Sequence, residues 1–371
     1  MVFKFINIKV NFIIILLLFS LYISSCADDK VTDKDLQDLT YIVYSPKSYK
    51  LEYPSYFGQP IIPSDNPITE DGVFLGKKLF YDPILSIDST KSCASCHLPS
   101  LSFNDNKAFS IGVNGQLSIR SSMPLINLAF TKNGFFWDGR SQSLEDQALI
   151  PVEDPREMDH SWPDVESLMQ KHKIYPSLFR KAFGIKKTNE ITRELVVKAL
   201  AQFERTLISG NSKFDKILRG EELFSDLELY GYTMFIDGDP NVKDAECGHC
   251  HSVPLGTADQ FFNNGLVEAP TMTEFKDWGR GKITNNIIDR GKFKAPTLRN
   301  VTLTPPYMHD GRFKTIDEVL DHYSSGGKAS PNKDPLLYPL NFTLFERRAL
   351  KAFLETLVDT SFLYNPNFLP E

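Results

Sequence analysis

The chain has 371 residues, 42% of them apolar and 24% charged, with a net charge of −6 at neutral pH. That length suggests two domains, and the mildly acidic balance carries no basic footprint, so nucleic acid is excluded as an expected partner. Twenty-eight phenylalanines and fourteen tyrosines are enough to line two apolar cofactor pockets.

The N-terminal segment carries Lys4 and Lys9, an apolar run from Phe12 to Phe19, and then Ile23-Ser24-Ser25-Cys26. A basic start, a short apolar stretch and small residues before a cysteine form the layout of a bacterial lipoprotein signal. Residues 1–25 would be removed and Cys26 acylated as the mature N-terminus. A plain signal peptide or an uncleaved anchor helix is the competing reading. Each of these takes the chain out of the cytoplasm, and the lipoprotein reading places it on the periplasmic side of the cell envelope, held to the membrane through the lipid alone. Residues 26–60 are polar, with scattered tyrosines and prolines and no sustained period, and read as a tether.

Ordered structure is expected from near Pro67. Gly76-Lys77-Lys78-Leu79-Phe80 ends thirteen residues before Cys93, and the related Gly231-Tyr232-Thr233-Met234-Phe235 ends twelve before Cys247. The two cysteines open Cys93-Ala94-Ser95-Cys96-His97 and Cys247-Gly248-His249-Cys250-His251, so the chain repeats itself at a period of about 154 residues. C-x-x-C-H is the signature of covalent c-type haem attachment. Two thiols add to the haem vinyl groups and the adjacent imidazole becomes the proximal iron ligand, which assigns His97 and His251 to two irons. Two C-x-x-C pairs could instead share one zinc ion or act as dithiols. Their separation, the helix between them and a histidine directly after each pair argue against that. With Cys26 acylated, no cysteine is left for a structural disulfide.

Between the motifs, residues 164–183 look helical on either side of Pro176, which must break or kink the helix, and residues 190–209 place Ile191, Leu195, Val196, Ala199, Leu200, Phe203 and Leu207 on one face. Gly210-Asn211-Ser212 ends that helix. Residues 341–358 form a last amphipathic helix, which is expected in the second domain with packing on the first as the alternative. No convincing strand is found. The expected fold is therefore mainly α, two cytochrome c-like haem domains over 61–212 and 213–371 packed together after the signal and tether. A glycine one turn before an aromatic lets a second helix cross closely while the aromatic packs near the haem. The stretch from Leu98 to Arg120 holds neither histidine nor methionine, so it offers no obvious ligand to close the distal face of the first iron. Met123, just beyond, reads as a packing residue.

Phe135-Phe136-Trp137-Asp138-Gly139-Arg140, Leu144-Glu145-Asp146-Gln147-Ala148, Pro155-Arg156-Glu157-Met158, Pro296-Thr297-Leu298-Arg299-Asn300 and Pro306-Tyr307-Met308-His309-Asp310-Gly311, taken with both haem motifs, resemble the bacterial dihaem cytochrome c peroxidases and their relative MauG. The resemblance implies two covalent haems c, the first peroxidatic and the second accepting electrons from a small carrier protein, a cytochrome c or a cupredoxin. It implies that Trp137 lies between the haems and that Gln147 and Glu157 face the open side of the first. A carboxylate there moves a proton between the oxygens of bound hydrogen peroxide. Without the resemblance both residues would be read as solvent-facing. The family also implies calcium between the domains, on the carbonyls of Thr304 and Pro306 and on a side chain at Ser121, where relatives carry asparagine. Pairing into a homodimer is a further expectation.

Two departures matter. Family members carry a ligating histidine in the loop after the first motif, where this chain has Val113, so the first haem is expected to be open in the fully ferric protein. Relatives place a methionine ligand fourteen residues after the P-Y-x-H-D-G histidine, and here that position is Tyr323. MauG uses a tyrosine there; His322, Met308 and Met272 are the alternatives. A phenolate stabilises ferric iron. The expected activity is peroxide reduction. The alternatives are MauG-like oxidation of a protein or organic substrate, and an electron-transfer cytochrome or haem sensor without turnover.

Overall fold

The computed structural model describes residues 37–370. The expected signal peptide and the acylation site expected at Cys26 lie outside the described residues. No described helix is long and apolar enough to cross a membrane.

Helix α1 spans Glu70–Tyr81, and Thr69 caps it by accepting the Gly72 N–H on its hydroxyl while Glu70 and Asp71 face the positive end of the helix. After the first haem motif come α2 (Leu144–Glu153), α3 (Trp162–Lys171), α4 (Tyr175–Phe183) and α5 (Arg193–Thr206). The second half holds α6 (Lys213–Leu218), α7 (Asp226–Ile236), α8 (Arg280–Thr284), α9 (Ile316–Ser324), α10 (Leu344–Thr356) and α11 (Thr360–Leu363). The only named sheet among the described residues pairs β1 (Phe261–Phe262) with β2 (Phe293–Lys294), two residues each and antiparallel. Long loops wrap the rest, as a mainly α fold built around cofactors requires.

The internal repeat is structural. Helix α1 crosses α5 in the first half, and α7 crosses α10 in the second. A Cβ on Gly76 would collide with the carbonyl of Ala199, and one on Gly231 with the carbonyl of Ala349. Glycine at these two places is thus required by backbone-to-backbone contact. The aromatic four residues later goes into the core each time: Phe80 lies edge-on to Phe103 and Phe203, and Phe235 contacts Phe353. Each crossing sits in its own apolar core, one built on Leu75, Leu79, Phe80, Leu200 and Phe203, the other on Phe214, Phe235, Leu350 and Phe353.

Two expectations need correction. Residues 37–60 are not a free tether: Leu39 is buried in the first core, its N–H bonds to the Lys186 carbonyl at 2.8 Å, and Tyr49 bonds to Ile68 at 3.0 Å. Tyr56 reaches the second half, donating to Asp215 at 2.9 Å, and Phe57 lies under the Arg299 guanidinium at 4.7 Å. A strap that buries isolated apolar residues has no period to betray it. Pro176 does not kink one helix; it sits in the first turn of α4, where its missing N–H costs nothing, and the break falls at His172–Ile174. The last long helix packs on α7 in the second core, so of the two placements considered for it the second domain is the one observed. The chain returns to the first core only afterwards, through Phe362, Leu363 and Phe368.

Candidate active site

Both C-x-x-C-H segments are tight turns whose backbone closes on the first cysteine. His97 and His251 donate their amide N–H groups to the carbonyls of Cys93 and Cys247 at 3.0 and 2.9 Å. The imidazoles are held alike. His97 Nδ1 is 2.8 Å from the Phe103 carbonyl, and His251 Nδ1 is 3.0 Å from that of Pro296 and 3.2 Å from that of Gly256. A carbonyl only accepts, so Nδ1 carries the proton in both rings and Nε2 keeps its lone pair for a metal. Burial also pushes both histidines toward the neutral form. None of the four cysteines is in a disulfide. Two thiols and a tautomer-fixed imidazole per turn are the donor set of haem c.

Around the second turn the cavity is large and apolar, about 1370 Å³ with its open mouth, and Cys247, Cys250, His251, Trp137, Met308 and Tyr323 line it. Its apolar lining, with both thiols and the imidazole at the wall, suits a hydrophobic cofactor. Tyr323, on α9, is half-buried in the cavity wall, and desolvation there pushes its phenol up to about 12. Its Oη lies 3.4 Å from Asn264 Nδ2, and the same nitrogen is 3.3 Å from Met308 Sδ. His322 points elsewhere, its Nε2–H donating to the Asn264 carbonyl at 2.8 Å. Neither it nor Met272 lines the cavity.

On the first side, the loop after His97 folds back as a small hairpin, with Ile111 bridged to Leu117. It is pressed against Glu157: the Val113 N–H donates to the Glu157 carbonyl at 2.8 Å, and a Cβ on Gly112 would strike the Arg156 carbonyl. The loop therefore holds Val113 against the backbone of Glu157. The Glu157 carboxyl makes no hydrogen bond among the described residues, and burial pushes it up to about 7, with Asp154 adding to the rise and Arg140 and Arg156 opposing it. Arg140 stacks 3.4 Å over Phe136 and pairs with Asp138 at 3.1 Å. Gln147 is half-buried on α2, and its side chain has no hydrogen-bond partner among the described residues. Met123 lines a separate small hollow with Leu255 and Pro296.

Trp137 and Arg140 belong to one loop closed by the Phe135–Ser141 bridge, so a single hairpin reaches the second cavity with its indole and the Glu157 carboxyl with its charge. The indole N–H donates to the Ser121 carbonyl at 2.8 Å, and the ring meets His309 edge-on at 6.4 Å. Ser121 joins the two halves: its N–H donates to the His309 carbonyl at 2.8 Å and its hydroxyl to the Met308 carbonyl at 2.9 Å. Buried Arg120 reinforces the same seam, pairing with Asp138 at 2.6 Å and Asp277 at 2.8 Å. At the expected calcium position, the Thr304 hydroxyl bonds to the Val301 carbonyl at 3.2 Å. The carbonyls of Thr304 and Pro306 accept no hydrogen bond among the described residues.

Sequence reasoning missed three residues of this region. Arg140 was visible only as part of a motif. Asn264 sits in a loop without any pattern. Glu204, on the buried face of α5, is pushed up to about 8 by burial, and its Oε2 has no partner. A charged residue inside an apolar helical face was the available signal for it.

Paired C-x-x-C-H turns with fixed imidazoles, one apolar cavity and a tryptophan in the seam define a dihaem c-type cytochrome. The sequence model of the di-haem cytochrome c peroxidase family matches residues 70–223. MauG of Methylorubrum extorquens is 39% identical over 299 residues, covering 80% of each chain. Cytochrome c551 peroxidase of Nitrosomonas europaea is 35% identical over 309 residues, covering 81% of this chain and 84% of that one. The crystal structure of a MauG-like protein associated with microbial copper homeostasis superimposes with a TM-score of 0.78 at 31% identity, over 86% of this chain and 99% of that one. The chain belongs to the dihaem cytochrome c peroxidase and MauG family of oxidoreductases, whose cofactors are haems c.

Proposed function

We propose that this protein reduces hydrogen peroxide to water at the His97 site, with electrons entering at the His251 site from a small soluble carrier, a cytochrome c or a cupredoxin. The observation that carries this reading is Glu157, a half-buried carboxyl without a hydrogen-bond partner among the described residues, pushed up to about 7 beside a loop without histidine or methionine. Haem iron held by one imidazole supplies a binding position for peroxide and the electrons for O–O cleavage. Near neutral pH both forms of Glu157 are populated, so it can take the proton from one peroxide oxygen and deliver it to the other. Arg140 keeps the carboxylate form accessible, and Gln147 is the candidate for holding the second oxygen. Val113 leaves the distal side clear. Trp137, walled into the second cavity and fixed by Ser121, is the candidate relay.

Tyr323 is the candidate distal ligand of the second iron, supported by its place in the cavity; Met308 is the other cavity-lining candidate. Calcium on the Thr304 and Pro306 carbonyls and the Ser121 hydroxyl fits two carbonyls without hydrogen bonds next to the seam. A lipid anchor at Cys26, a periplasmic location and homodimer formation extend the same proposal and rest on the sequence and the family. Steady-state oxidation of reduced cytochrome c by hydrogen peroxide tests the function: sustained, peroxide-dependent turnover is expected, and none would overturn it. MauG-like oxidation of a protein or organic substrate is the second reading, favoured by Tyr323. It predicts peroxide consumption without turnover of a reduced carrier. A non-catalytic cytochrome or sensor predicts neither.

A further inference from the structure

Asn264 stands at a junction that the peroxidase reading does not use. Its turn is anchored on both sides. The buried Asn263 amide donates to Ser330 Oγ at 2.9 Å and to Asn332 Oδ1 at 2.8 Å, and the Asn264 carbonyl accepts the His322 N–H at 2.8 Å. From this fixed backbone the Asn264 carboxamide enters the second cavity. An amide nitrogen has two N–H donors, and here they are divided between Tyr323 Oη at 3.4 Å and Met308 Sδ at 3.3 Å. Both residues line the cavity, and each carries an atom able to ligate iron. Met308 is itself held under strain: its φ of +75° is rare for a residue with a side chain, and the Ser121 hydroxyl grips its carbonyl at 2.9 Å.

Each N–H has a separate consequence. A donor on the tyrosine oxygen steadies the phenolate and draws electron density away from it. A donor on the thioether takes up one of the sulfur's two lone pairs and draws electron density from the other, which weakens the sulfur as a competing ligand. We propose that Asn264 is the positioning residue that assigns the distal face of the second haem to Tyr323, by supporting the phenolate oxygen with one N–H and tying up the Met308 sulfur with the other. The inference rests on the reading of Tyr323 as that ligand.

The test compares Tyr323→Phe, Asn264→Leu and Asn264→Asp as holoproteins, with haem loading checked by covalent haem stain and spectra recorded in both oxidation states. Tyr323→Phe removes the phenolate and must change the second haem's ferric spectrum; if it does not, the ligand assignment itself fails. Asn264→Leu keeps the bulk and loses both donors. Its ferric phenolate charge-transfer band is expected to move to longer wavelength, and a thioether-ligated signature is expected on reduction, since methionine favours the ferrous state. That signature should vanish in the Asn264→Leu/Met308→Leu double variant. Asn264→Asp sets a carboxylate against the phenolate and should lose the phenolate band. A changed spectrum in Tyr323→Phe with unchanged spectra in both Asn264 variants would overturn the inference and leave the ligand assignment standing. Failure of both Asn264 variants to load the second haem would overturn it too, because Asn264 would then be structural.

Discussion

Replacing Glu157 by glutamine separates catalysis from stability in one variant. Burial raises the carboxyl from its ordinary 4.5 to about 7, which places the ionised form about 3 kcal/mol above its level in water. The sign follows from linkage: a carboxyl whose pKa is raised on folding contributes stability that is complete below about 4.5 and is lost as pH climbs to about 7. Glutamine is neutral throughout and escapes that loss. The variant should therefore melt close to wild type at pH 4.5, gain progressively up to pH 7, and hold a constant advantage of up to about 3 kcal/mol above it. Its kcat/KM for peroxide should fall by about 10²- to 10⁴-fold, the usual worth of a positioned acid–base group. The wild-type profile should show loss of activity on acidification through about 7, and the variant should not. Thermal melts of the holoprotein across pH, beside peroxide kinetics, read both effects. A variant as active as wild type with the same pH profile would refute the role of Glu157, and a pH-independent melting difference would refute its buried charge.

Trp137→Phe removes the indole held by Ser121; steady-state kcat with a reduced carrier should drop about tenfold, about 1.4 kcal/mol on the barrier, while the first rapid reaction of the protein with peroxide is kept. Gly231→Ala drives a methyl into the Ala349 carbonyl and should cost about 1–3 kcal/mol by denaturant titration; a neutral result would mean that α7 and α10 do not cross as described. Glu204→Gln removes a buried carboxyl pushed up to about 8, so its stabilising effect should grow from pH 4.5 to about 8, and no gain at pH 8 would contradict the burial.

The haem turns, the repeat and the role of Gly76 and Gly231 were legible because each is local: a spacing, or a small residue where two helices must touch. Phe80 and Phe235 follow from the same register. The strap of residues 37–60 was not legible, since Leu39 and Phe57 each bury alone against distant partners and leave no period. The sequence offers Ser121 only as an oxygen at an implied calcium position; its grip on Met308 and His309 joins residues 187 and 188 positions apart. Asn264 and Glu204 escaped for the same reason, because their meaning comes from a cavity and a core assembled from the whole chain. Pro176 was placed in the right helix region and misread, because proline breaks a helix from inside and starts one from its first turn.

The central claim is an open, proton-managed site at His97, and rapid mixing of the fully ferric protein with hydrogen peroxide tests it most directly. Val113 in place of a ligand and Glu157 beside it predict an immediate spectral change without prior reduction. A protein that stays spectrally silent until it receives one electron, with both irons six-coordinate and low-spin beforehand, would contradict the account.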